Sequence, residues 1–513
     1  MLICKDYLKE DYMKERIKKL TALSLSVAMV AGLSACGNAA TPVTEEQTPA
    51  GETATTETTT ETTTETTEAT TQTTEEETPQ EITYDFGGVT VQAFGSEWNN
   101  LDNEENLVAQ EAKKLVEEKY NIKLVKAAMD GYDGYNDDDL LIASVAAGDP
   151  VADIITLNPE SMVSCYQNGI LYDMTEYLDT LKVGSIYSNA GSWQGRCYGI
   201  SYDNLGDSWV LVYDRDYLKE IGMEKTPTDM FMEGKWDYAS FEEYCTEMKS
   251  KLPDGVYPIG CYPYHWAVMA AGANGETICD DQGNVNITKD AFIETLEFYQ
   301  KLENEGLAYP MSLTLDENGE ATEADYAYAV TDEKIVMKRA EAWQLSGLEF
   351  NYGIVYWPWG SDVTCNGDYT TLSDNYKVNT SYWGVDCVVA ASIDKTGIPG
   401  DVLEQIIFDY REAVTDGGLD WMREAYEQER AGDNTCYGKE FGETRSFYTE
   451  QDIELYDWGH SRFQADLSWA MDSAGIVDVW NSFFYVLAGY QDARSTMESY
   501  YNEAQANLKD AGF

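Results

Sequence analysis

Histidine is almost missing from this chain: of 513 residues only His265 and His460 carry an imidazole. That leaves little room for a multi-histidine metal centre or a histidine-based nucleophilic triad. Cationic side chains are scarce too. Lys and Arg number 34 against 92 Asp and Glu, for a formal net charge of -58. Such a surface repels phosphate backbones and anionic lipid, so nucleic acid is not expected as a partner. The ten cysteines contain no C-x-x-C pair, which argues against a thiolate zinc or redox motif. No metal and no cofactor is expected. An apolar run long enough to span a bilayer is also lacking; the candidate, Leu20 to Leu33, is too short.

That run is informative for another reason. Lys14, Arg16, Lys18 and Lys19 precede it, and Leu33-Ser34-Ala35-Cys36-Gly37 follows. A basic segment, a short apolar segment and small residues before a cysteine form a lipoprotein export signal over 1–35, with Met13 as an alternative start. Cleavage leaves Cys36 as the lipid-bearing N-terminus, so membrane association is expected through that lipid. The expected location is the extracytoplasmic face of a cell membrane, of the Gram-positive type. Eight cysteines remain beyond leader and anchor: Cys165, Cys197, Cys245, Cys261, Cys279, Cys365, Cys387 and Cys436. Export permits disulfides and a large domain does not need them, so both states stay open.

Residues 36–81 form a Thr/Glu tract with ETTTETTTETTEATTQTTEEE at its centre. It has almost nothing apolar to bury and reads as a disordered tether. From Ile82 the texture is globular, with 28 basic and 77 acidic groups. Gly88 to Phe94, Asn121 to Val125 and Asp153 to Leu157 read as strands. Between them come a helix with Leu107, Val108, Ala112, Leu115 and Val116 on one side, and another over Leu140 to Ala147 behind Asp137–Asp139. Capping explains that Asp cluster better than a calcium loop, whose spacing it does not match. Strands alternating with helices predict α/β architecture with doubly wound sheets. Further on, Ser240-Phe241-Glu242-Glu243 reads as a capping box opening a helix to about Leu252. Thr288 is expected to cap a helix burying Phe292, Leu296 and Tyr299, with Gly306 at its end. A final helix carries Met497, Tyr501, Ala504 and Leu508. These stripes read as core.

Several short motifs occur in a telling order. They are Ala147-Gly148-Asp149 with Asp153-Ile154-Ile155; Gly169-Ile170-Leu171-Tyr172-Asp173 with Tyr177-Leu178; and Val212-Tyr213-Asp214-Arg215-Asp216-Tyr217-Leu218. After them come Gly234-Lys235-Trp236-Asp237-Tyr238 before Phe241, Met337 six residues before Trp343, and Asn351-Tyr352-Gly353-Ile354-Val355 with Pro358. Together they resemble the extracellular solute-binding proteins of ABC importers, in the carbohydrate-binding branch that includes maltose-binding protein. The resemblance implies a two-lobed type II periplasmic-binding-protein fold. Each lobe would be a doubly wound sheet flanked by helices, with the ligand in the cleft between them. Lobe 1 would take 82–205 and 385–445, and lobe 2 would take 206–384 and 446–513. It also implies a monomer, delivery to the transmembrane subunits of a permease, and no catalysis.

A sugar has an apolar C–H face that packs on aromatic rings, and hydroxyls that need carboxylates, amides or indole N–H groups. By the resemblance, Glu97 and Trp98 follow the first strand where ligand contacts are made, and Asn158 and Glu160 follow the third. Leu157 stands where maltose-type relatives carry a ring. Asp207 matches an acidic hinge residue, with Tyr202 and Asp203 nearby. Tyr264, His265 and Trp266 lie in a loop where relatives present a ring. Trp343 is the best-matched aromatic, Trp383 sits at the second hinge, and Trp480 lies in the returning C-terminal segment. Trp421 and Trp469 read as helix packing. Two other readings remain. One is a cell-surface glycoside hydrolase, needing two carboxylates about 5–10 Å apart. The other is a sensory or adhesive lipoprotein of the same fold.

Overall fold

The computed structural model describes residues 84–104, 106–128, 138–178, 191–201, 209–280, 282–317, 319, 321–345, 348, 350–380, 384–414, 449–468 and 477–510. The export signal, Cys36, the Thr/Glu tract, Tyr202, Asp203, Asp207, Trp383, Trp421, Cys436 and Trp469 lie outside them.

In chain order the elements begin with β1 (Val89–Phe94), α1 (Leu107–Tyr120), β2 (Ile122–Lys126), α2 (Asp138–Ala146), β3 (Ile154–Leu157) and α3 (Pro159–Gln167). Two short strands follow, β4 (Ser192–Trp193) and β5 (Arg196–Cys197). Next come β6 (Trp209–Asp214), α4 (Arg215–Glu220), α5 (Pro227–Met232), α6 (Tyr238–Lys249), β7 (Tyr257–Ile259), α7 (Pro263–Ala273) and α8 (Asp290–Asn304). The chain continues through β8 (Ser312–Leu315), β9 (Ala321–Asp325), β10 (Ile335–Glu341), α9 (Ala342–Leu345), β11 (Tyr352–Val355) and β12 (Val378–Thr380). It closes with β13 (Val385–Val388), α10 (Ala391–Thr396), α11 (Gly400–Val414), α12 (Glu450–His460), β14 (Phe463–Ala465), α13 (Val477–Leu487) and α14 (Ala493–Asp510).

Two four-stranded sheets carry the fold, in the orders β13-β3-β1-β2 and β11-β6-β10-β7. In the first, β1, β2 and β3 are parallel and β13 runs against them at the edge. β3 and β13 are buried on both faces, as strands covered by helices on each side require, whereas β1 and β2 alternate, with Thr90 and Lys123 exposed. The period of two divides them: Ile154 joins the core under α1 and α11, while Ile155 and Leu157 join the core under α2 and α3. In the second sheet β6 is antiparallel to β10 and β11, and β7 is parallel to β10. Helices α5, α6 and α12 pack on it, and α7, α8, α13 and α14 form a helical layer beside it. This is the expected α/β two-sheet architecture.

Local expectations hold in part. Phe292, Leu296 and Tyr299 are buried, as are Met497, Ala504 and Leu508. Three helix readings need correction. Asp237, not Ser240, caps α6, its Oδ1 accepting from Ser240 N at 2.8 Å, so the helix starts earlier and ends at Lys249. Lys289, not Thr288, precedes α8, and its side chain makes no cap bond. Leu107 is 55% exposed; the buried stripe of α1 is Ala109, Ala112, Val116 and Tyr120. The segment after Gly169 is not a regular helix. Leu171 bridges Val389 and only a 3-10 turn, Thr175–Tyr177, follows. Seven cysteines are described, six buried and Cys365 half-buried, and none of them is joined to another in a disulfide.

Candidate functional site between two sheet edges

Strand directions bring specific ends together. In the first sheet β1, β2 and β3 end at Phe94, Lys126 and Leu157, and antiparallel β13 begins at Val385, opposite Leu157. In the second, β7 and β10 end at Ile259 and Glu341, and antiparallel β6 begins at Trp209, opposite Glu341. The chain leads from Ile200, which bridges Asp386 of β13, to the start of β6, and from β12, which pairs with β14, to the start of β13. In open α/β sheets ligands sit outside the carboxyl ends of strands, and β6 and β13 each begin at such an edge of their own sheet.

On the first edge, β1 turns at Gly95, whose φ is 129° and whose missing Cβ would lie 2.4 Å from Thr156 Cβ. Only glycine permits that approach. Trp98 follows, but it is core rather than cleft surface. Its ring is fully buried, stacks on Tyr410 at 4.7 Å, and donates Nε1–H to Asp386 Oδ1 at 3.0 Å. The Glu97 side chain lies outside the described residues. Asn158 is buried and caps α3, its Oδ1 accepting from Ser161 N at 2.6 Å. Glu160 is half-buried in the first turn of that helix.

On the second edge, Trp266 is also core. It is fully buried in α7, donates Nε1–H to Thr295 O at 3.0 Å, and packs against Tyr299 and Trp357. Tyr264, one turn-half earlier, lies against half-buried Trp480 with centroids 4.9 Å apart. Trp343 sits in α9 directly after β10; its ring lies outside the described residues.

The structure adds rings that the sequence reading missed. Tyr262, Tyr326 and Tyr328 form a triangle with centroid separations of 5.4, 5.6 and 5.8 Å. His265 lies 4.7 Å from Tyr262, and Phe484 lies 5.5 Å from it. The signal was present: Tyr326-Ala327-Tyr328 alternates, which turns both phenols to one side while Ala327 is buried. Electrostatically the seam is quiet. Arg339 lies over the Tyr328 ring at 5.9 Å and is ion-paired with Glu341. Burial, with the Arg339 charge second, holds His265 well below the usual imidazole range, so it is neutral at pH 7. Burial also raises Tyr262 and Tyr326, which stay protonated donors. The arrangement offers ring faces, hydroxyls and little free charge. Among the described residues no group of three His, Cys, Asp or Glu is placed to hold a metal, and no helix is long and apolar enough to cross a membrane.

Comparisons agree with this architecture. The fold is similar to the sugar-binding protein MalE of the phytopathogen Xanthomonas citri, at 14% identity over 83% of this chain and 98% of that one, with a TM-score of 0.54. At 15% identity, the galacto-N-biose-/lacto-N-biose I-binding protein of an ABC transporter from Bifidobacterium longum matches 83% of this chain and 97% of its own, with a TM-score of 0.47. An ABC substrate-binding protein of Listeria monocytogenes, solved with cycloalternan, is 16% identical over 84% and 100%, with a TM-score of 0.45. Only the first likeness is close enough to bear on the fold. No curated protein sequence matches the chain. The profile described as bacterial extracellular solute-binding protein matches residues 101–364, just over half of the sequence. With two α/β sheets and this profile over more than half its length, the chain belongs to the family of bacterial extracellular solute-binding proteins.

Proposed function

We propose that this protein captures a sugar or oligosaccharide between its two lobes and delivers it to the transmembrane subunits of an ABC importer. The observation that carries the reading is the run of rings beyond the end of β7, in which Tyr262, Tyr326, Tyr328 and Trp480 are half-buried and Tyr264 lies buried against Trp480. Aromatic faces with hydroxyls match the two chemical surfaces of a sugar. The similar fold of a protein named for sugar binding adds support.

In this reading the lobes are 82–205 with 385–445 and 206–384 with 446–513. Glu97, Asn158 and Glu160 serve from lobe 1, Tyr202, Asp207 and Trp383 from the crossings, and Tyr264, Trp343 and Trp480 from lobe 2. Trp98 and Trp266 are set aside as core. The lobes close on the ligand, and the permease selects the closed form. No step of this cycle is chemical. The lipid on Cys36 and the Thr/Glu tract hold a monomer off the outer face of the membrane.

The test is a thermal-shift screen of the full chain in detergent against mono- and oligosaccharides. At a hundredfold excess over Kd, binding stabilises the native state by about 2.7 kcal/mol. A raised midpoint with one glycan family, recovered intact afterwards, is the expected result. No shift with any sugar contradicts the reading, and release of cleaved product turns it to a hydrolase.

A further inference from the structure

The Tyr262–Tyr326–Tyr328 triangle is not built like the tyrosine core of the same lobe. There, Tyr238 and Thr295 share a hydrogen bond at 2.9 Å, and Tyr376 donates to Trp357 O at 2.8 Å. Their hydroxyls are committed, as buried hydroxyls must be, because an unmade bond costs on the order of 1–3 kcal/mol. In the triangle all three tyrosines are half-buried. None of their hydroxyls bonds to a described residue, whereas Tyr485 and Tyr490 nearby do. Three open phenol hydroxyls on three neighbouring rings make a face that is apolar in body and polar at its tips.

That face is held in place before any ligand arrives. Tyr326 follows β9, whose hairpin with β8 is pinned at two points. Ala321 N donates to Tyr485 Oη at 2.7 Å, and Tyr490 Oη donates to Leu313 O at 3.2 Å. Tyr328 is fixed through its carbonyl, which accepts from Arg339 N at 2.9 Å. A pre-ordered surface loses little entropy on binding. It is also continuous with the rings already described: Trp480 to Tyr264 is 4.9 Å, Tyr264 to His265 is 6.1 Å, and His265 to Tyr262 is 4.7 Å. The charges that touch it are neutralised, Arg339 by Glu341.

We infer that the Tyr262–Tyr326–Tyr328 face is a second sugar subsite, so that the ligand is an uncharged oligosaccharide of at least two units rather than a monosaccharide. The inference rests on the proposed sugar-binding function and adds length and charge to it. One unit lies by Trp480, which packs on buried Tyr264, and the next stacks on the triangle and hydrogen-bonds to its hydroxyls. An anionic solute is disfavoured because Arg339, the cation that touches the triangle among the described residues, is paired with Glu341.

The test is calorimetric titration of the full chain in detergent with linear α- and β-glucans, xylans and mannans of one to six units, and with oligouronates. The expected result is a neutral oligomer that binds at least tenfold tighter than its own monomer. Tyr326→Ala and Tyr328→Ala should each weaken that oligomer roughly fivefold to tenfold while leaving the monomer unchanged. Tyr326→Phe should keep most of the stacking and lose the hydroxyl's share. Circular dichroism confirms that each variant is folded; should an alanine variant not fold, the phenylalanine variant tests the hydroxyl's share alone, with a smaller loss for the oligomer and none for the monomer. Three results overturn the inference and leave the sugar reading intact: a monomer bound as tightly as its oligomers, an oligomer Kd indifferent to both substitutions, or an oligouronate preferred to every neutral chain. A wild-type protein that binds no carbohydrate overturns both.

Discussion

Trp98 donates its indole N–H to the Asp386 carboxylate at 3.0 Å, across 288 positions of sequence. The same carboxylate accepts from Thr156 Oγ1 at 2.6 Å and is ion-paired with Arg411 at 3.2 Å, with both side chains nearly fully buried. One residue of β13 thus ties together the turn after β1, the end of β3 and helix α11, directly behind the carboxyl edge of the first sheet. Removing one member of a buried pair strands the other charge. Asp386→Ala and Arg411→Ala should each cost about 3–5 kcal/mol, read from urea midpoints. A loss below 1 kcal/mol would show that the pair is solvated.

Glu404 is fully buried in α11 with neither carboxylate oxygen hydrogen-bonded. Burial, then the charges of Asp401 and Asp173, pushes its carboxyl up to about 9. In the unfolded chain it titrates near the ordinary value of about 4.3. Between those values the native state holds a proton that the unfolded state has released. Stability therefore falls as pH rises from about 4.3 to about 9. Glu404→Gln should flatten that part of the profile and change little at pH 4. Thermal midpoints of both proteins from pH 4 to pH 9.5 check this, and an unaltered slope in the variant would refute it.

Trp266 and Trp480 were grouped by sequence as ligand contacts, and the structure parts them. Trp266→Ala empties a fully buried site and should cost about 3–5 kcal/mol of stability. Trp480→Ala, at a half-buried ring beside Tyr264, should instead weaken sugar binding roughly tenfold with a much smaller stability loss. Unfolding curves and titrations of both variants decide. Equal effects on stability would place both rings in the core.

The described cysteines should react in order of exposure. Cys165, Cys197, Cys245, Cys261, Cys279 and Cys387 are buried, and Cys365 is half-buried. Burial is the main cause that pushes each of the six thiols up, Cys197 to about 12, so almost no thiolate exists at pH 8. Alkylation of the native chain, read by peptide mass spectrometry, should label Cys365 first and the other six only in denaturant. Early labelling of any buried one would contradict its placement.

Much of the fold was legible because it is written locally. The β-branched and apolar runs of β1, β2 and β3 need no distant partner to be recognised, nor do the stripes of α8 and α14. Helix starts were less legible because two good caps can stand close together. Asp237 and Ser240 are both suitable N-caps, and the chain uses the first. The site was least legible where long-range pairing decides. A tryptophan after a strand reads as a ligand ring until its N–H is seen to end on Asp386. Tyr326 and Tyr328 follow a hairpin rich in exposed acids, and nothing local marks their faces as shared with Tyr262.

The central claim is capture by closure between two lobes, and small-angle X-ray scattering of the full chain with and without its saturating glycan tests it most directly. The account predicts a smaller radius of gyration and a narrower distance distribution in the presence of the glycan, which is recovered uncleaved. Identical profiles at confirmed saturation would contradict it.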